Sequence, residues 1–126
     1  MRYSKKTLEY FHHPKNVGRF DSTDSKISIG IFGTKENGEI IELQIKVEKN
    51  IIKDSKFLAH GGVVVIASMG WITEWLKGKT IFQAEQITER EISAALEIPQ
   101  TKRHAILLAI ETVRSVLNDF KTKMEK

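Results

Sequence analysis

Residues Phe57–Lys79 read FLAHGGVVVIASMGWITEWLKGK, and the reading of this stretch decides the fold. Two glycines, Gly61 and Gly62, interrupt a strand-like segment, and an apolar run from Val63 to Trp75 follows. Val63-Val64-Val65-Ile66 alone would suit a buried strand, because β-branched side chains favour sheets. The run continues through Ala67, Met69, Trp71, Ile72, Trp75 and Leu76, whereas strands rarely exceed about ten residues. It is too short to cross a bilayer, which takes about 18 apolar residues or more. The stretch therefore predicts a central helix enclosed in one core and stopped by Lys77-Gly78-Lys79. A helix that opens on glycines leaves its first N–H groups free at the positive end of its dipole. An anion or a thiolate-held metal is what such an end accommodates.

Working upstream, Ile51 to Ala59 reads as a strand, reached through a Lys49-Asn50 turn. Before it, Ile41, Leu43, Ile45 and Val47 alternate with Glu42, Gln44, Lys46 and Glu48, which predicts one packed face and one wet face. Asn37-Gly38 is a strong hairpin dipeptide. On its far side Ile27, Ile29 and Ile31 alternate with Ser28 and Gly30, as in a half-buried strand. Short turns between consecutive strands make a three-stranded antiparallel meander. At the start of the chain Ser4 caps a short helix through about Phe11, ended by Pro14. Pro14–Phe20 reads as an ordered loop, and Asp21–Ser25 as a polar one.

Downstream, Thr80 with Gln83 fits a capping box for a helix through Ile87, and Thr88 with Glu91 fits another leading to Leu96. After Pro99 a last helix starts near Thr101, with the core stripe Ile106, Ala109, Ile110, Val113, Leu117 and Phe120. Strands first and helices after predict an α+β fold, helices packed mainly on one face of a small antiparallel sheet. One domain, 1–126, is the expected count for 126 residues.

With 40% hydrophobic and 29% charged residues the chain reads as an ordinary globular protein. The net charge of +4 is mild and the lysines are scattered, which argues against nucleic acid as a partner. Lys5 and Lys6 are not followed by an apolar signal-peptide segment, so no membrane and a cytoplasmic location are expected. The chain has no cysteine. Disulfides, thiolate metal sites and thiol nucleophiles are thereby excluded.

Tyr3-Ser4, Pro14-Lys15-Asn16-Val17-Gly18, Leu43-Gln44-Ile45-Lys46-Val47, Ile66-Ala67-Ser68, Thr73–Lys79 and Lys102-Arg103-His104 fall in order at spacings that resemble the IscU-type, or NifU N-terminal-type, iron–sulfur cluster scaffold family. The resemblance spans about Tyr3 to Lys121. It implies an α+β fold with a three-stranded sheet and a non-enzymatic role. It implies partners too: a cysteine desulfurase or other iron–sulfur assembly proteins, an iron donor such as frataxin, and a chaperone pair. The family builds a two-iron cluster on three cysteines with an aspartate and a histidine. In this sequence the cysteine positions hold Asn37, Gly62 and Ala105, the aspartate position holds Glu39, and the histidine position keeps His104. The chaperone-recognition segment reads Ile98-Pro99-Gln100-Thr101-Lys102, with one of the family's two prolines missing.

A soft sulfur donor set is what holds cluster iron, so no cluster and no other cofactor is expected, and the chain reads as an accessory or regulatory binding protein. A rival reading places zinc or ferrous iron on Glu39, His60 and His104, since Glu39 opens the second strand and His60 closes the third. A third is a structural interaction subunit outside cluster assembly. Replacement of polar positions by Gly62, Val63, Val64 and Ala105 predicts an apolar pocket there that serves as a contact surface. Trp71 and Trp75 share a helix face and read as packing; His12-His13 reads as an exposed helix end. Homo-oligomerisation stays open.

Overall fold

The computed structural model describes residues 2–34, 36 and 38–125. The decisive stretch divides where expected: β3 (Ile51–His60) ends at the two glycines and α2 (Val63–Leu76) follows. Gly62 is its N-cap and makes no side-chain capping bond. No residue of α2 is fully exposed, and Val65, Ala67, Ser68, Met69, Ile72, Thr73 and Leu76 are wholly buried. Such enclosure matches its apolar character on all sides.

With β1 (Ile27–Thr34) and β2 (Glu39–Glu48), β3 completes a three-stranded sheet in the order β1-β2-β3, both pairs antiparallel. The tight turn before β3 places Lys49 and Asn50 at φ 52° and 63°, the left-handed geometry a two-residue hairpin requires. Gly38 takes φ 76° in the other hairpin, while Asn37 lies outside the described residues. Ile41, Leu43, Ile45 and Val47 all turn into the core, as their alternation predicts. Full burial of each such side chain is worth roughly 1.5–3 kcal/mol.

β1 is a half-buried strand, but it does not follow the apolar-inward pattern of β2. Ile27 is buried, but Ile29 and Ile31 are 40% and 53% exposed, while Ser28 and Gly30 face inward. Register explains the inversion: Ser28 pairs with Ile45 and Gly30 with Leu43, and cross-strand partners share a face. Packing enforces it, because α5 (Arg103–Met124) crosses the strand at backbone contact. A Cβ on Gly30 would lie 2.3 Å from the Val116 backbone nitrogen. The outer face of β2 departs from expectation, since Gln44 is 5% exposed. The segment after Pro14 covers it: Phe20 N–H donates to Gln44 Oε1 at 2.8 Å, and Arg19 forks onto Glu42 at 2.7 and 3.3 Å.

That segment is held by Asn16, which sits at φ 65°. Its amide donates to Thr73 Oγ1 at 3.1 Å and its Oδ1 accepts from Lys77 Nζ at 2.6 Å. Its carbonyl accepts the Phe57 N–H at 2.9 Å, so the loop joins the free edge of β3. At the start of the chain, Ser4 caps α1 (Lys5–His12), and both Ser4 and Thr7 hydroxyls donate to the Leu96 carbonyl.

Both predicted capping boxes form, at Thr80 for α3 (Ile81–Glu85) and Thr88 for α4 (Glu89–Leu96). α3 ends at Glu85 rather than Ile87. α5 begins at Arg103 rather than Thr101, because a 3-10 turn over Gln100–Lys102 precedes it. The predicted stripe of α5 is buried, with Phe120 half-buried at its end.

Two substitutions test this packing by chemical denaturation. Gly30→Ala is expected to cost about 3 kcal/mol, since neither backbone can yield easily. Asn16→Ala is expected to cost about 1 kcal/mol by removing the side-chain bonds to Thr73 and Lys77.

Candidate functional site

The residues singled out in the sequence lie at the ends of four elements. Glu39 opens β2 and is half-buried, its Cγ 3.5 Å from where a Cβ on Gly61 would stand. His60 closes β3, opposite Ile40, and is exposed. Gly62 is exposed at the mouth of α2, with φ −79° and nothing within 4 Å of an added Cβ. His104 is exposed in the first turn of α5, and Ala105 beside it is half-buried against the core. Asn37 lies outside the described residues.

Glu39, His60 and His104 are not gathered into a metal site. Among the described residues no group of three or more His, Asp, Glu or Cys side chains could hold a metal ion. The helix mouth offers backbone N–H groups, while Gly62 and Ala105 themselves carry no donor side chain. No described helix is long and apolar enough to cross a membrane.

A profile of the NifU-like N terminal domain matches residues 2–126. The chain belongs to that family. It is 40% identical over 127 residues to the iron-sulfur cluster assembly scaffold protein IscU of Buchnera aphidicola subsp. Schizaphis graminum, covering 100% of this chain and 99% of that one. To the scaffold protein IscU of Escherichia coli K12 it is 37% identical over 126 residues, covering 99% and 98%. The fold is shared with a crystal structure of a NifU-like N-terminal protein from Brucella abortus, at TM-score 0.71 and 13% identity over 95% of this chain and 94% of that one. A candidate cluster scaffold of the SUF system from Fervidobacterium islandicum superposes at TM-score 0.70, 20% identity and 91% and 96% coverage.

An iron–sulfur cluster does not fit the residues of this NifU-like domain. Cluster iron is bound by thiolates, and the chain contains none. Gly62 and Ala105, two of the three positions that the resemblance sets against cysteines, carry no donor atom in their side chains.

The apolar pocket expected around Gly62, Val63, Val64 and Ala105 is not where the apolar hollow lies. A concavity of about 480 Å³ opens instead between the Pro14–Arg19 segment and the sheet, lined by Val17, Ile31, Ile40, Leu58 and Ile66 among others. His60 alone of the singled-out residues borders it. Its signal in the sequence was Pro14-Val17 beside β-strand isoleucines, but only the inverted face of β1 turns Ile31 toward it. The Arg19–Glu42 pair stands at its rim, and the hydrogen bond that Arg19 donates to Glu42, ahead of the carboxylate's charge, raises the Arg19 pKa above the usual value.

Because Gly62 has ordinary φ and open space, Gly62→Cys is expected to shift stability by less than about 1 kcal/mol under reducing conditions. Thermal unfolding of the variant beside the parent chain measures this.

Proposed function

We propose that this NifU-like domain is a non-enzymatic accessory protein of iron–sulfur cluster assembly, one that binds scaffold partners without carrying cluster itself. The single observation behind this reading is a scaffold architecture kept over the whole chain while its cluster-ligand positions hold Asn37, Gly62 and Ala105. An amide, a hydrogen and a methyl group cannot replace three thiolates. Soft sulfur is needed both to match cluster iron and to neutralise its charge. A cysteine desulfurase also delivers its sulfur as a persulfide to an acceptor thiol, which this chain lacks. What persists is shape and contact surface, so the chain competes with or regulates a cluster-bearing scaffold for a shared partner. The cysteine desulfurase is the partner assigned here.

Anaerobic incubation with ferrous iron, sulfide or cysteine, and desulfurase is expected to give no stoichiometric visible chromophore, and affinity capture is expected to retain the desulfurase. The triple variant Asn37→Cys, Gly62→Cys, Ala105→Cys is expected to gain the chromophore. A coloured wild-type product would overturn the loss of cluster binding; absence of desulfurase capture would overturn the partner.

A further inference from the structure

The two edges of the sheet are closed by different means. Along β3 the closure is backbone to backbone: Phe57 exchanges hydrogen bonds with Asn16 and Gly18, and Ile52 with Gly78 and Lys79. Along β1, side chains of α5 reach the outward backbone groups. Ile29 N–H donates to Asp119 Oδ2 at 2.9 Å, Lys123 Nζ donates to Ile27 O at 2.6 Å, and Ser115 Oγ stands 3.5 Å from Ile31 O.

The two rows are commensurate. Residues 115, 119 and 123 recur every four positions of a helix, about 6 Å apart at 1.5 Å per residue. Residues 31, 29 and 27 recur every two positions of a strand, about 6.6 Å apart. Each helix step therefore meets the next outward-pointing backbone group of the strand. Contact at Gly30 brings the two backbones close enough for short side chains to reach.

We infer that Ser115, Asp119 and Lys123 form a strap in register with β1, masking a strand-addition edge whose occupant is β1 of a second copy of this chain. The segment Ile27–Phe32, ISIGIF, carries no charge and no proline, the composition that pairs with itself when an edge is bare. Its Ile29 and Ile31 side chains are exposed beside that edge. Two β1 strands paired antiparallel about a two-fold axis would present the same surface to each other, as a symmetric interface requires, and would join their isoleucines into one apolar strip. The strap keeps the edge occupied by polar side chains instead.

The test removes the strap without touching the core: Asp119→Ala with Lys123→Ala, whose side chains are 34% and 47% exposed. Amide hydrogen exchange at Ile29 is expected to accelerate about tenfold, one hydrogen bond's worth, with Leu43 unchanged. Sedimentation is expected to show concentration-dependent association beyond that of the wild type. Adding Ile29→Lys is expected to abolish it, since a lysine blunts an edge strand. Asp119→Asn, which keeps an acceptor oxygen, is expected to behave as wild type. If the double variant opens globally, seen as equal acceleration at Leu43, Asp119→Ala alone carries the same readout. Unchanged exchange at Ile29 would overturn the strap. Monomeric behaviour of the opened variant, or association that survives Ile29→Lys, would overturn the assigned occupant.

Discussion

A helix apolar around its whole circumference persists in water only when every side is covered, and α2 imposes that condition on this chain. Its cover comes from four directions: β3, α1, α4 and α5 all pack on it. The sheet alone could cover one side. Helices on both sides of it in the sequence are needed for the others, and the short ones, α1 and α4, are marginal in isolation. They are held by their caps and by contacts to distant carbonyls, as Ser4 and Thr7 are by Leu96.

The segments by which the sequence resembles its family meet one another in space. Asn16 bonds to Thr73 and Lys77, joining the loop after Pro14 to the end of α2. Ser55 donates to the Thr73 carbonyl at 2.5 Å, drawing β3 into the same junction. Lys102 stands over the Tyr3 ring at 5.7 Å, and Lys79 over Trp75 at 4.7 Å, with Trp75 stacked on Trp71. These contacts join distant segments of the fold, and none of them needs a thiolate. A fold and a site chemistry can rest on different residues.

The site itself was legible in part. The glycine-opened helix, the first-turn His104 and the half-buried Glu39 all stand at the element ends that the sequence indicated. Whether Glu39, His60 and His104 meet was not, because the separation of three side chains depends on how β2, β3 and α5 are placed relative to one another. The apolar hollow beside Val17 and Ile31 was not legible for a related reason. It is built by a loop lying on the outer face of the sheet, and no periodicity in the sequence reports that contact.

Local physics determined much by itself. The length and apolarity of Val63–Leu76 admit only an enclosed helix, the alternation in β2 assigns its inner face, and two capping boxes start their helices where Thr80 and Thr88 stand. The absence of cysteine settled the thiolate chemistry before any coordinate was known. Tertiary structure decided which face of β1 turns inward. Alternation there is equally consistent with isoleucines in or out, and the choice fell to pairing with Leu43 and Ile45 and to a helix backbone that leaves room only for hydrogen at Gly30. A strand's pattern carries its period, but its orientation comes from neighbours far away in the chain.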